Sequence, residues 1–88
     1  MGEIADAIER KLRAALAPAK LELRDDSASH AGHAHAGVES HFDLTIEAAA
    51  FTGLTRVARQ RLVLAALSEE LAGPLHALAI HARAPGEG

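Results

Sequence analysis

Phe42-Asp43-Leu44-Thr45-Ile46-Glu47-Ala48 alternates apolar and polar residues without a break. A period of two places Phe42, Leu44 and Ile46 on one face of a strand and leaves Asp43, Thr45 and Glu47 on the other. This stretch reads as a half-buried strand, and the rest of the chain organises around it. Upstream, Lys20-Leu21-Glu22-Leu23-Arg24-Asp25 repeats the alternation and reads as a second strand. Downstream, Leu75-His76-Ala77-Leu78-Ala79-Ile80-His81-Ala82 is apolar at both parities, which predicts a third strand that is central or well covered.

Two amphipathic segments frame the strands. Ile4, Ile8, Leu12 and Leu16 recur every fourth residue with Ala5 and Ala15 beside them, one apolar stripe of a helix. Glu3, Asp6 and Glu9 lie early in it and Arg10, Lys11 and Arg13 late, the order the helix dipole favours. Pro18 ends this helix, because the residue before a proline is driven out of the helical region. From Thr55 to Ala72 the helical period returns at Val57, Leu64, Leu67 and Leu71, widened by Val63 and Ala66, with Arg56, Arg59, Arg61, Glu69 and Glu70 left for water. Gly73-Pro74 terminates it. Phe51-Thr52-Gly53 reads as a connector, and residues 83–88 as a flexible tail. The order helix, strand, strand, helix, strand predicts one α+β domain over residues 1–88, two helices covering one face of a three-stranded sheet.

Composition narrows the function. The chain has 88 residues, no cysteine, and only Phe42 and Phe51 as aromatics. Its core must come from aliphatic residues, and it cannot build an all-thiolate zinc or iron–sulfur site of its own. The acidic N-terminus has no apolar run of the kind a signal peptide needs, and no stretch approaches the roughly 20 apolar residues of a membrane span. Cytoplasm is the expected compartment. A net charge of −3 argues against unassisted high-affinity binding to nucleic acid. No Ser/His/Asp order, paired-acid motif or phosphate-cradling glycine loop is present, so an enzyme is not expected.

Histidine is the residue that stands out. Four of the six, His30, His33, His35 and His41, fall within thirteen residues, Ser29 to His41. The loop that holds most of them is too long for a tight hairpin turn, and loops of that length are usually functional or mobile. The span 28–38 is expected to be the least ordered internal segment, as it lacks an apolar anchor. Imidazole is the commonest protein metal ligand and titrates near neutrality. His30-x-x-His33 and His33-x-His35 are spacings that can hold a divalent metal once the loop is ordered; the plain alternative is a set of solvated spacers among alanines and glycines. His41, at a strand start, reads as structural, and His81 as a surface residue. His76 shares parity with Leu78 and Ile80, which suits either a core-edge histidine or a ligand.

The runs Leu21-Glu22-Leu23-x-Asp25-x-Ser27, Glu39-Ser40-His41-Phe42, Phe51-Thr52-Gly53, Arg59-x-Arg61 and Glu69-Glu70-Leu71-x-x-Pro74-Leu75-His76-Ala77-Leu78-Ala79-Ile80 resemble the BolA-like proteins, in order and over nearly the whole chain. The resemblance implies an α-β-β-α-β domain of the class II KH-like type. It also implies partnership with a monothiol glutaredoxin through a shared [2Fe–2S] cluster, in iron–sulfur trafficking or iron regulation. The glutaredoxin would supply a cysteine and its bound glutathione a second thiolate; this chain would supply His30 from the loop and His76 from the His-Ala-Leu motif, with His33 as the alternative loop ligand. Histidine in place of cysteine on one iron is the Rieske pattern, which raises the potential and makes the ligand protonatable. The isolated chain is expected to be a monomer without a cluster. The family usually carries Arg-His-Arg where this chain has Arg59-Gln60-Arg61, which puts any titratable role at Gln60 in doubt.

A KH-like DNA-binding transcriptional regulator is the competing expectation, with Arg56, Arg59 and Arg61 as its phosphate contacts. Arg56 and Arg59 share a helix face, while Arg61 diverges from Arg59 by about 160°. With no aromatic surface for base stacking, any such binding should be weak and steeply salt-dependent.

Overall fold

The computed structural model describes residues 2–25, 41–73, 75 and 77–87. Its elements run α1 (Glu3–Leu16), β1 (Lys20–Asp25), β2 (His41–Glu47), a 3₁₀ turn (Ala49–Phe51), α2 (Arg56–Ala66), α3 (Ser68–Ala72) and β3 (Ala77–Arg83). The arrangement is the α-β-β-α-β order expected, with the second helix bent into two pieces.

β2 is the middle strand of a sheet ordered β1-β2-β3. It pairs antiparallel with β1, Leu21 opposite Ile46 and Leu23 opposite Leu44, and parallel with β3, Phe42 opposite Leu78 and Leu44 opposite Ile80. A parallel pair needs a helical crossover, and α2 with α3 supplies it. Phe42, Leu44, Ile46 and Ala48 all point to the helix side and are buried. Against them pack Ala5, Ile8, Leu12 and Leu16 from α1 and Val63 and Leu67 from the second helical segment. Phe51 is the largest fully buried side chain, so the turn that reads as a mere connector is also a core anchor.

α1 ends as Pro18 dictates. Ala17 takes the left-handed conformation, φ 45°, and its N–H bonds back to Arg13 O. Three other expectations are corrected. β3 lies at the sheet edge, not the centre: Ala77, Ala79, His81 and Arg83 are exposed, and only Leu78, Ile80 and Ala82 turn toward the core. Alanine is apolar yet small enough to leave in water at little cost, so its presence at both parities does not signal two covered faces. The second helix is rotated from its predicted face. Val57 is 56% exposed and Leu64 39% exposed, while Val63 and Leu67 are fully buried. It also breaks at Leu67, whose N–H is shared between Val63 O and Leu64 O, 3.2 Å from each.

The break sets Glu69 and Glu70 toward α1. Lys11 Nζ lies 2.8 Å from Glu69 Oε1 and 2.7 Å from Glu70 Oε2, so Glu70 is buried rather than solvated. The hydrogen bonds that Lys11 donates to these two carboxylates hold its ammonium pKa above the ordinary value, and the same contact lowers that of Glu69. The chain end is tied as well. β3 runs to Arg83, Ala84 is buried, and Glu87 bonds back to Arg59, so residues 83–87 are not the free tail expected. No helix among the described residues is long and apolar enough to cross a membrane.

Leu67→Ala should destabilise the protein by about 2–5 kcal/mol, the range for emptying a filled core site. Leu64→Ala should cost less than about 1 kcal/mol, as expected for an exposed position. Denaturant unfolding of the two variants checks the rotation of the helix; equal losses would contradict it.

Candidate functional site

The sheet brings three chain segments to one end. β1 finishes at Asp25, opposite Phe42; β2 begins at His41, opposite Ala77, the first residue of β3. Segment 26–40 therefore leaves and rejoins the sheet at the end where β3 starts. His30, His33 and His35 belong to that segment, and His76 directly precedes Ala77 in the chain. All four lie outside the described residues, as does the span expected to be least ordered, 28–38. His41 itself is half-buried at this end of the sheet, on the face that carries no helix.

That open face is a charged lattice set by strand register. Lys20, Glu47 and Arg83 lie across one row and Arg24, Asp43 and Ala79 across another. Asp43 Oδ2 stands 3.5 Å from Arg24 Nη2 and 3.4 Å from His81 Nε2, and Arg83 Nε donates to Glu47 Oε1 at 3.0 Å. Each is a cross-strand or diagonal pair of the kind that stabilises a sheet. Among the described residues no group of three or more His, Asp or Glu could hold a metal ion.

The three arginines of the competing reading separate. Thr55 caps α2 by accepting from the Ala58 N–H at 3.1 Å, which fixes the first turn. Arg59 then points away from solvent: Nε donates to Leu54 O at 3.0 Å, and Nη1 and Nη2 reach Glu87 Oε1 and Oε2, each at 2.6 Å. In this structure Arg59 is therefore occupied by Glu87 rather than presented to solvent as a phosphate contact would be. Arg61 is exposed. Arg56 joins Gln60, Thr45 and the β3 run Ile80–Arg83 around a groove of about 340 Å³ at the free edge of β3. Sequence reasoning missed Arg83 here because the strand was ended one residue early. Its i,i+2 spacing from His81 would have found it. Nothing local in the sequence signals the Arg59–Glu87 tie, whose partners are 28 positions apart.

Two donor groups hold the Glu87 carboxylate. The Arg59 guanidinium contributes most, and the Ala84 N–H adds a bond to Oε1 at 3.0 Å. Together they lower its pKa from 4.5 to about 2, while the same contact raises that of Arg59.

The sequence profile of the BolA-like proteins matches residues 12–87. The chain belongs to the BolA-like family. It is 51% identical over 87 residues to BolA-like protein 1 of Bos taurus, a match that covers 99% of this chain and 63% of that protein. With the DNA-binding transcriptional regulator BolA of Escherichia coli (strain K12) it shares 44% identity over 78 residues, 89% of this chain and 72% of the relative. The BolA domain of SufE1 from Arabidopsis thaliana superposes with a TM-score of 0.88 at 42% identity, over 100% of this chain and 99% of that one. The chain spans little more than six tenths of the length of the mammalian BolA-like proteins it matches. The family fold is therefore established independently of the element order.

Because the folded pKa of Glu87 is depressed, its tie to Arg59 contributes stability above the unfolded value of 4.5 and loses it as pH falls toward about 2. Glu87→Gln should lower the thermal midpoint relative to the unmodified protein near neutral pH, and the gap should close across that acidic window. A gap independent of pH would show that the carboxylate charge is not what holds the chain end.

Proposed function

We propose that this BolA-like chain is a non-catalytic adaptor that binds a monothiol glutaredoxin and shares a glutathione-ligated [2Fe–2S] cluster with it. His76 and a histidine of segment 26–40, His30 first and His33 as the alternative, are its contribution. The observation that supports the reading most is convergence: both attachment points of the histidine segment, Asp25 and His41, lie at the sheet end where the chain passes from His76 into β3. Ala77, the next residue, is paired into the ladder opposite His41, so one ligand borders the sheet while the other belongs to a long connection.

The donor chemistry fits this division. A chain with no cysteine offers imidazole and leaves the thiolates to the glutaredoxin and its glutathione. Histidine ligation of one iron raises the potential and makes the bond sensitive to protonation, since a ligating imidazole must be neutral. The cluster is then cargo held at the junction of two proteins. The nucleic-acid reading is favoured by the likeness to the Escherichia coli relative, a DNA-binding transcriptional regulator. It ranks second here because Arg59 is occupied by Glu87 and both phenylalanine rings are buried, leaving no ring for base stacking.

Titration of the chain with cluster-loaded glutaredoxin, followed by visible circular dichroism, tests the reading. His76→Ala should abolish the bands that distinguish the heterodimer. His30→Ala should weaken them less, because His33 follows three residues later in the same segment. The bands should fade as the pH falls through about 6, where imidazole takes up a proton. The chain purified alone should be colourless. A spectrum and pH dependence unchanged in His76→Ala would overturn the ligand assignment.

A further inference from the structure

Arg59 is held as a receptor rather than as a free cation. Its Nε is pinned by Leu54 O, which fixes the plane of the guanidinium and aims both Nη atoms at one point. The Ala84 N–H converges on the same point, giving three donors for one carboxylate, two from α2 and one from the residue after β3. A planar fork presented in this way matches a carboxylate bidentately. The occupant is Glu87, whose side chain is 44% exposed and is delivered by a turn at Gly86, where φ is +86°. The receptor is therefore part of the packed domain, whereas its occupant sits on a surface turn near the chain end.

Arg56, His81 and Arg83 line the groove between α2 and β3; Arg83 is already bonded to Glu47, and His81 stands 3.4 Å from Asp43. α2 carries three arginines and no acidic residue, in a chain whose net charge is −3. Among the described residues the outer edge of β3 has no partner strand, so its backbone can accept an extended segment. An acidic polypeptide satisfies both features. A nucleic acid would supply the charge, but it would find no exposed aromatic ring, since Phe42 and Phe51 are both buried.

We infer that Arg59 and the Ala84 amide form a carboxylate site filled from within by Glu87, and that an acidic, extended segment of a partner protein enters the α2–β3 groove by displacing Glu87. Glu87 acts as an internal competitor: it occupies Arg59 and the Ala84 N–H ahead of weak anions and yields to a segment that brings several carboxylates together. The inference is independent of the cluster reading, since it concerns the outer edge of β3 and uses none of the histidines assigned to iron.

The probe is a short labelled peptide alternating glutamate and threonine, followed by fluorescence anisotropy at low salt. Glu87→Gln should bind it more tightly than the unmodified protein, by about fivefold, the most that release of one exposed ion pair allows. Arg59→Gln in the Glu87→Gln background should remove the gain, and Glu3→Gln, which deletes one negative charge on α1, should produce none. In the unmodified protein, the Ala84 amide and Arg59 Nε–H resonances should shift as peptide is added, which reads the exchange without any substitution. The inference is overturned if Glu87→Gln binds no better, if the gain survives loss of Arg59, or if those two resonances stay fixed. A labelled single-stranded oligonucleotide that gains as much as the peptide would also overturn it, by assigning the groove to phosphate.

Discussion

β2 is paired on both sides, antiparallel to β1 and parallel to β3, and a slip of one residue in either ladder would turn its whole apolar set into water. Phe42, Leu44 and Ile46 are each buried to 3% exposure or less, and burial of such side chains stabilises by roughly 1.5–3 kcal/mol apiece. The register is therefore fixed by several kilocalories rather than by any one hydrogen bond. Once it is fixed, Asp25, His41 and Ala77 must share one end of the sheet, and Glu47, Arg83 and Lys20 the other. The two regions to which function is assigned here are consequences of that register. One is the sheet end near segment 26–40, and the other is the outer edge of β3.

The strict alternation of β1 and β2 was legible from sequence because polar and apolar residues take turns there without exception. The fourfold stripe of α1 and its stop at Pro18 were legible for the same reason: pattern and punctuation agree. The second helix was harder. Val57, Leu62, Val63, Leu64 and Leu67 lie all round it, so periodicity alone admits more than one buried face. The tie from Lys11 to Glu69 and Glu70 belongs to the face that packs, and it joins residues 58 and 59 positions apart. The edge position of β3 was hidden by alanine, which tolerates burial and exposure almost equally. The histidine cluster stood out by composition, but its place at one end of the sheet follows only from the strand pairing.

Charge is distributed so that the two faces of the domain do different things. On the helix-free face each described acidic side chain of β2 has a cationic neighbour across the ladder: Asp43 meets Arg24, and Glu47 meets Arg83. Along α2 the cations have no acid within the helix to neutralise them, and Arg59 is neutralised by Glu87, 28 positions further along the chain. A contact between α2 and the residues after β3 thus decides how much positive charge the β3 edge presents. The cluster reading places its ligands at the opposite end of β3 from this contact. The two proposed contacts would therefore fall on separate surfaces of one small domain, without either using the other's residues.

The central claim is that this chain itself supplies nitrogen ligands to a cluster it shares. The most direct measurement is pulsed electron paramagnetic resonance on the reduced heterodimer, assembled from unlabelled glutaredoxin and this chain labelled with ¹⁵N only at histidine. The account predicts strong ¹⁵N couplings of iron-bound imidazole, arising from His76 and from one histidine of segment 26–40. A heterodimer whose cluster shows no ¹⁵N coupling would contradict it, leaving the thiolates of the partner as the whole ligand set.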